Sequence, residues 1–396
     1  MYARKNLLRP RGGHDHARVT FVELFFDLVF VFAVTQLSHG LLEHLSLLGA
    51  IETGLLMLAV WWVWIYTSWI TNWLDPDQRP VRIMLFVLMA AGLVLSASIP
   101  QAFGARGLAF ALAYVFMQVG RSLFMLWALG RHDARNFRNF QRIITWLIAA
   151  GVFWIAGGLA DGQPRLLLWA IAIGIEYLMP AVGMWVPGLG QSTPQDWQID
   201  GPHLAERCAG FVLIGLGESL VVTGANFADM AWDRFSAEAF AAAFLGAVAM
   251  WAIYFNVSAE RASHHIATAS DPGRLGRSGY TYLHLLIVAG IIVSAVADEI
   301  ALTHPHGHAD LKDVLVIVGG PALYLLGTAL FKRLTAPNVP LSHLVGLGLL
   351  LALGATGGVI ARLHLATATT AILIVVAIWE WASLTDRGRR PPAHGH

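Results

Sequence analysis

The sequence predicts an all-α, polytopic membrane protein with about twelve transmembrane helices in two parallel six-helix repeats. Composition is the first reason, because 57% of the 396 residues are hydrophobic and only 13% are charged, whereas soluble proteins carry about 25% charged residues. Apolar runs of about 20 residues, the length that crosses a bilayer as a helix, recur from end to end. Short segments of the two halves also resemble each other.

Twelve segments are long and apolar enough to be predicted as membrane-spanning helices. In chain order these spans are 20–41, 48–72, 81–104, 107–130, 140–160, 165–187, 203–226, 236–259, 279–302, 311–331, 341–362 and 365–385. Prolines lie in or beside the loops between them, as expected for a residue that interrupts helices. The predicted domains are a basic N-terminal segment (1–19), a first repeat (20–187), a central loop (188–202), a second repeat (203–385) and a tail (386–396).

The distribution of lysine and arginine predicts that both termini are cytoplasmic. In that orientation 19 of the 26 basic residues fall in cytoplasmic segments and five in the opposite loops, while Arg121 and Arg207 lie within spans. Such a bias indicates the orientation of a multi-pass membrane protein. The first 18 residues contain no apolar core of a signal peptide, so no cleaved leader is expected.

The two halves of the chain are predicted to be related by an internal repeat. An offset of 198 residues aligns 83–102 with 281–300, and six of these twenty positions are identical, including Ser96 with Ser294. An even number of spans in each half brings both halves into the membrane from the same side. The expected arrangement is therefore a parallel repeat about an axis along the membrane normal.

Charged residues within the spans are the candidates for function. A charge at this depth costs roughly 3 kcal/mol or more, so it usually faces protein, a partner charge or water. We interpret these residues as a transport site or buried charge network, whose members are Glu23, Asp27, Arg121, Glu176, Glu206, Arg207, Glu218 and His284. A purely structural role stays open for this network, since buried ion pairs can serve specificity of packing.

The spacing of the deep charges leads to specific expectations. Glu23 and Asp27 are four residues apart, which places them on one face of a helix. We predict that Arg207 neutralises a carboxylate of the first span, because these charges would otherwise be unpaired. For the same reason we predict that Arg121 neutralises Asp27 or Glu176. Glu23 can instead cap its helix.

Other polar and aromatic residues are open to simpler interpretations. Glu206 lies near the cytoplasmic boundary of its span and can cap that helix, and His284 can be a neutral, hydrogen-bonded core residue. Glu380, between two tryptophans, is interpreted as an interfacial anchor. A membrane-interface belt is the interpretation for the later tryptophans of the second span and its loop, Trp69 and Trp73.

Several classes of protein and site are excluded by the sequence. It contains no P-loop or dinucleotide-binding fingerprint, and its basic N-terminus is short, so a nucleic-acid partner is not expected. The single cysteine, Cys208, excludes an internal disulfide. The absence of a metal-ligand set and of triad spacing predicts no catalytic residue, metal or cofactor. Expected partners are the lipid bilayer and a transported proton, cation or small solute, and a homo-oligomer is left open.

Two long motifs resemble those of a known family. The first is Val22–Ala33 followed by Gln36–Ser38, and it carries both carboxylates of the first span. The second consists of His203, Glu206, Arg207, Phe211 and Leu216–Ser219. Together they closely resemble the bacterial low temperature requirement protein A family. The resemblance implies a multi-pass protein of the bacterial cytoplasmic (inner) membrane that is linked to growth in the cold. It implies no particular substrate or reaction.

A looser similarity links the first span to the endolysosomal potassium channel family. The similar segment runs from Phe25 to Leu37, and in that family the corresponding helix lines the pore. Here Phe26 replaces the family's serine, and Gly210 stands where Asp27 would repeat in the second half. The similarity therefore does not imply potassium selectivity.

Transport is the function that the sequence favours. Buried charges in a repeated helical framework are typical of an ion or small-solute transporter, with Asp27 and Glu218 in the conducting or coupling site. A structural or sensory membrane protein that supports low-temperature growth is the first alternative. An intramembrane lipid-modifying enzyme is the less favoured one, so whether the protein is an enzyme is left open, with a non-enzyme preferred.

Overall fold

Apolar segments form helices in this chain because a helix satisfies its own backbone hydrogen bonds where water is absent. The structure, a computed structural model, describes residues 6–10, 18–130, 132–256, 258–335 and 339–389. The N-terminal segment predicted over 1–19 and the tail predicted over 386–396 therefore lie partly outside the described residues. Within the described ranges the only β-structure consists of three isolated bridges.

Fifteen α-helices occur in the described part of the chain. They are α1 (Phe21–Glu43), α2 (Leu47–Trp73), α3 (Arg79–Ser98), α4 (Gly107–Val115), α5 (Arg121–Leu129), α6 (Ala134–Leu159), α7 (Gln163–Leu178), α8 (Gly201–Ala228), α9 (Arg234–Phe255), α10 (Ser258–Ala267), α11 (Pro272–Leu275), α12 (His284–Thr303), α13 (Leu311–Thr335), α14 (Leu341–Thr356) and α15 (Arg362–Arg389). Two wider π-helical turns join neighbours, Phe116–Gly120 between α4 and α5, and Gly276–Leu283 between α11 and α12.

Eleven helical segments, counted over the described residues, are long and apolar enough to span a membrane. They correspond to the predicted spans except the sixth, 165–187. That segment forms the 16-residue α7, which is about 24 Å long and shorter than a hydrocarbon core of about 30 Å. The helix ends at Leu178 because Pro180 has no N–H to continue it and Gly183 adopts a φ of +61°.

Two compact units divide the chain. The first contains the described residues up to Gly210 together with Ile266–Arg277, and the second contains Phe211–His265 together with the described residues from Ser278 onward. In the first unit α1 packs against α2 and α3, α3 against α4, and α6 against both α4 and α7. In the second unit α12 lies along α13, α9 lies along α15, and α14 packs against α13 and α15.

The tryptophans at the end of α2 belong to the core of the first unit, and the interface-belt interpretation of Trp69 and Trp73 is wrong. Their exposed fractions are 5% and 3%. Trp69 packs edge-on against Trp197 with ring centroids 5.4 Å apart, and Trp73 packs edge-on against Phe140 at 5.6 Å. Position near a helix end suggested the interface, but the central loop folds back and covers these rings.

Apolar side chains face outward while charged ones are buried, which is the reverse of a soluble protein. Leu28 and Val221, for example, are 55% and 71% exposed, whereas Glu23 and Asp27 are 0% exposed. In an aqueous protein this distribution would be unstable, but it is the expected one for helices in lipid. The helices of each unit therefore carry their polar chemistry on inward faces.

Small residues let α12 and α13 approach closely. A Cβ atom added at Gly290 would lie 2.5 Å from the backbone nitrogen of Tyr324, and one at Gly320 would lie 2.7 Å from the backbone nitrogen of Ser294. Such contacts are typical of membrane helices, whose association depends on van der Waals packing rather than on the hydrophobic effect.

We expect Gly290→Ala to destabilise the protein, because the new methyl group would meet the α13 backbone rather than a movable side chain. Overpacking of this kind costs about 1–3 kcal/mol. Thermal unfolding of the purified protein in detergent measures the effect as a lower Tm. The matched control is Gly319→Ala on α13, where an added Cβ meets nothing within 4 Å and alanine improves helix propensity. Equal Tm values for the two variants would contradict the close approach.

Candidate functional site

Glu23 is the most heavily hydrogen-bonded carboxylate of the first unit. Its Oε1 accepts hydrogen bonds from Arg207 at 3.1 Å and from Nε2 of His203 at 3.0 Å. Its Oε2 accepts from Arg9 at 3.0 Å and from the backbone N–H and hydroxyl of Thr20, both at 2.9 Å. Glu23 therefore caps α1 and also takes part in a buried ion-pair cluster, so the two interpretations of this residue from the sequence are both present in one side chain.

Asp27 lies one turn further along the same face of α1, as its spacing from Glu23 predicted. One carboxylate oxygen, Oδ1, accepts hydrogen bonds from Arg207 at 2.5 Å and from the indole N–H of Trp64 at 2.7 Å. The other oxygen, Oδ2, is buried and has no hydrogen-bond partner among the described residues. The Asp27 side chain is 0% exposed and lies about 9 Å along the helix from its first residue.

Arg207 joins the two carboxylates from the N-terminal part of α8. One terminal nitrogen contacts Glu23 and the hydroxyl of Thr71, and the other contacts Asp27. Its guanidinium group also lies over the ring of Trp64, with 5.8 Å from the carbon Cζ to the ring centroid. The predicted pairing of Arg207 with a carboxylate of the first span is thus present, and it involves both of them.

Arg9 and His203 complete this cluster, and sequence reasoning did not assign either of them to it. The segment containing Arg9 pairs with the end of α2, where the Arg9 N–H donates to the carbonyl of Trp73 at 2.8 Å. This pairing directs the Arg9 side chain to Glu23. Asn72 donates to Nδ1 of His203 at 3.2 Å, which leaves Nε2 of His203 to donate to Glu23. A histidine within the α8 motif was the available signal, but nothing local in the sequence identifies Arg9.

A second buried cluster in the first unit surrounds Glu176. Its carboxylate accepts hydrogen bonds from the hydroxyl of Tyr114 at 2.5 Å, from Gln118 at 3.0 Å and from the indole of Trp154 at 3.0 Å. Arg121 donates to the side-chain carbonyl of Gln118, which therefore bridges the arginine and the glutamate. Among the described residues Arg121 forms no salt bridge with Asp27 or Glu176, but it attracts Glu176 electrostatically across Gln118, so its predicted neutralisation of Glu176 is indirect.

Arg121 instead fixes α2. Its guanidinium group donates to the carbonyl of Val63 at 2.9 Å and to the hydroxyl of Thr67 at 2.7 Å. It is 0% exposed and follows the π-helical turn directly, a local geometry that is frequent at functional sites. The direct partners of the Arg121 guanidinium are therefore a backbone carbonyl and a hydroxyl, and not the carboxylate that charge balance predicted.

The described residues contain no group of three or more His, Cys, Asp and Glu side chains that could hold a metal ion. In the described part of the chain, the carboxylates of the two clusters accept hydrogen bonds from arginine, imidazole, hydroxyl, indole, amide and phenol donors, except at Oδ2 of Asp27. Chemically, such groups can bind and release protons, or exchange one charged partner for another.

The sequence matches a known bacterial family. A sequence model described as bacterial low temperature requirement A protein (LtrA) matches residues 18–378. The chain belongs to the bacterial low temperature requirement A family. It is also 42% identical over 370 residues to the uncharacterized protein RA0937 of Rhizobium meliloti, covering 93% of this chain and 90% of that protein. No solved structure matches the chain. LtrA membership and the many apolar helices identify a multi-pass bacterial membrane protein.

The motif on α1 and the first residues of the motif on α8 contact each other within the first unit. The motif on α1 supplies Glu23 and Asp27, and the motif on α8 supplies His203 and Arg207. Glu206, from the same α8 motif, is exposed and accepts a hydrogen bond from the backbone of Val19 at 3.3 Å. Its predicted place in the buried network is therefore wrong, because neighbouring residues of a helix point about 100° apart.

The remaining predicted site residues of this LtrA chain belong to the second unit. Glu218 is buried on α8, with an exposed fraction of 6%. His284 is fully buried, with Nδ1 bonded to the carbonyl of Gly279 at 2.9 Å and Nε2 to the hydroxyl of Tyr254 at 2.7 Å. The carbonyl can only accept, so Nδ1 carries the hydrogen and Nε2 accepts from Tyr254. His284 thus has the neutral, hydrogen-bonded arrangement of a core residue.

The second unit contains a buried ion pair that the sequence did not predict. Lys332 of α13 contacts both oxygens of Glu380 at 2.6 and 2.7 Å, and it also contacts His343 at 3.2 Å and the carbonyl of Ile253 at 3.0 Å. Lys332 lies just beyond the predicted span 311–331, and the sequence favours an interfacial anchor for Glu380. Because α13 continues to Thr335, Lys332 lies on a helix and pairs with Glu380 of α15.

We expect Arg207→Gln to destabilise the protein strongly, because it leaves two buried carboxylates facing each other without the shared cation. Breaking a buried pair in this way costs about 3–5 kcal/mol. Thermal unfolding in detergent measures the loss as a lower Tm. The control is Arg234→Gln, the same change at an exposed arginine. An Arg207→Gln variant as stable as this control would show that the ion pairs do not hold α1 and α8 together.

Proposed function

We propose that this protein is a transporter of the bacterial inner membrane that moves a proton, another cation or a small solute, with Asp27 and Arg207 as its coupling pair. The single observation that supports it best is the Oδ2 atom of Asp27. This oxygen is buried without a hydrogen-bond partner among the described residues, in a cluster where the neighbouring Glu23 accepts five hydrogen bonds.

The cost of an unsatisfied buried oxygen argues against a purely structural cluster. A buried acceptor without a donor costs about 1–3 kcal/mol, and such groups in native proteins call for an explanation such as an ion or a functional role. A carboxylate oxygen that accepts no hydrogen bond can accept a proton or a cation. Carboxylates in this position within membranes commonly mark pathways for protons and ions.

Proton or cation binding at Asp27 gives the cluster two states. A neutralised Asp27 loses its ionic attraction for Arg207, which keeps its contacts with Glu23 and Thr71. The contact between α1 and the N-terminal part of α8 would then loosen at the level of Asp27 and persist at the level of Glu23. A ligand that binds one of two such states more tightly shifts the equilibrium between them, and this shift is what coupling requires.

The parallel repeat is part of this proposal, and a matched pair of contacts supports it. In the first unit Arg121 donates to the carbonyl of Val63 on α2, and in the second Lys332 donates to the carbonyl of Ile253 on α9. The members of each matched pair are separated by roughly half the chain. The glutamates of the two clusters, Glu176 and Glu380, occur on the sixth and twelfth predicted spans.

A structural membrane protein is the second candidate, and the complete hydrogen bonding of Glu23 and Glu176 favours it. Networks of this kind can specify one packing of helices without moving a solute. The link to growth in the cold comes from the family description, and either candidate is compatible with it. An experiment that distinguishes the two candidates must measure the thermal stability of each variant and its transport rate independently.

Proteoliposomes with an internal pH dye can test the function. We expect the wild type to change the luminal pH when a proton gradient is imposed, or when a sodium, potassium or small-anion gradient drives coupled proton movement. It should also take up a radioactive tracer of any ion that moves without protons. Asp27→Asn should reduce this flux at least about tenfold, because the amide cannot take up a proton. Glu43→Gln is the matched control, since it makes the same change at the exposed end of α1 and should transport like the wild type.

The double variant Asp27→Asn with Arg207→Gln separates the two candidates. It removes one charge of each sign, so its Tm should recover part of the loss caused by Arg207→Gln alone. If the pair couples transport, flux stays at the level of empty vesicles despite that recovery. Wild-type flux in Asp27→Asn, or no flux from the wild type with any gradient, would overturn the transport proposal and favour the structural role.

A further inference from the structure

A second unsatisfied polar site lies in the other unit, within the bundle formed by α9, α12, α13 and α15. A cavity there has room for about one water molecule. Its wall includes Asp298 and Ser294 from α12, Pro321 from α13, and Thr369 and Thr370 from α15. Apart from apolar contacts, the side chains that line it offer oxygen atoms only.

Ser294 is the best indication that this cavity is built for a ligand. Its side chain is 4% exposed, and its hydroxyl has no hydrogen-bond partner among the described residues. Serine in a membrane helix usually donates to the carbonyl one turn earlier. Ser96, which the repeat aligns with Ser294, does this, donating to the carbonyl of Gly92 at 2.8 Å. The hydroxyl of Ser294 is therefore kept free where its counterpart is satisfied.

Asp298 supplies the charge. It lies four residues after Ser294 and therefore on the same face of α12. It is half-buried, and it makes no hydrogen bond or ion pair with any residue that the structure describes. Arg362, at the start of α15, pairs with Asp313 at 2.6 Å. The carboxylate thus lines the cavity without a neutralising cation from the described part of the chain.

The proline within α13, Pro321, frees a backbone oxygen. Proline has no N–H, so the carbonyl of Ile317, four residues earlier, receives no helical hydrogen bond from position 321. Ile317 also lines the cavity. Carbonyls released by interrupted helices are the groups that coordinate coupling ions in many transporters.

The two threonines complete the oxygen set. Thr369 donates its hydroxyl hydrogen to the carbonyl of Leu365 at 2.6 Å, and Thr370 donates to the carbonyl of Ala242 at 3.1 Å. Because both hydrogens are used, these oxygens offer only lone pairs to the cavity. A Cβ added at Gly246 would lie 3.2 Å from the Thr370 hydroxyl, so the glycine leaves space beside it.

From this arrangement we infer that the cavity binds a dehydrated alkali-metal cation. Carboxylate, carbonyl and hydroxyl oxygens are ligands for hard cations. A single carboxylate balances one positive charge, whereas sites for divalent ions usually gather more acidic side chains. The site is distinct from the Asp27 cluster, and ion binding there does not depend on the transport role proposed above.

Binding can be measured on the full-length protein in detergent, with choline chloride keeping the ionic strength constant. We expect sodium or potassium chloride to raise Tm saturably, and radioactive sodium to bind with a matching dissociation constant. Asp298→Asn should abolish both effects, and Ser294→Ala should weaken binding at least about tenfold. Controls are Glu299→Gln, which changes the adjacent carboxylate outside the cavity, and Ser96→Ala, which removes the satisfied counterpart of Ser294. Both should bind like the wild type.

Pro321→Ala gives a variant that tests the site without threatening the fold. Alanine restores an N–H that can bond the carbonyl of Ile317, so the basal Tm should be equal or higher while the cation affinity falls several-fold. The inference is overturned if neither alkali ion shifts Tm saturably, if Asp298→Asn keeps the shift, or if only calcium or magnesium binds. A response to pH alone, with no response to either alkali ion, would also overturn it.

Discussion

The contact of Arg207 with Glu23 and Asp27 is the constraint around which the first unit is arranged. Three ionised groups in a medium of low dielectric are tolerated only when each has a charged partner and further hydrogen bonds. Meeting that condition requires α1 to present both carboxylates on one face, α8 to begin beside that face, and the end of α2 to deliver Thr71 and Asn72. The short segment before α1 then adds the second arginine.

The part of this site that could be predicted from the sequence is the part that local geometry determines. Helical periodicity places Glu23 and Asp27 together, and charge balance selects Arg207 as their partner. Arg9 could not be found in the same way, because its position depends on backbone pairing between a loop and the distant Trp73. Glu206, which directly precedes Arg207 in the sequence, was predicted to join the same buried network. Consecutive residues of a helix point about 100° apart, so Glu206 faces outward while Arg207 faces the cluster.

Fold class and span positions follow from the apolar runs, whereas helix ends and buried partners do not. Apolar length cannot reveal that α7 stops at Leu178, because the turn after it depends on Pro180 and a glycine in the left-handed region. Charge balance likewise suggested a carboxylate for Arg121, but a carbonyl and a hydroxyl of α2 satisfy it. In a bilayer the backbone competes with side chains as a hydrogen-bonding partner, and sequence alone does not say which one wins.

The unsatisfied oxygens carry more functional information than the completed ion pairs. Each one costs about 1–3 kcal/mol while it stays without a donor, and membrane interiors provide little water to reduce that cost. In the first unit the oxygen is Oδ2 of Asp27, and in the second it is the hydroxyl of Ser294 beside Asp298. The first oxygen belongs to a carboxylate and the second lies beside one. A bound cation or proton would therefore offset the free-energy cost of the missing hydrogen bond at either position. A chain that only needed rigid helices could have satisfied Ser294 as it satisfies Ser96, with a bond to its own helix.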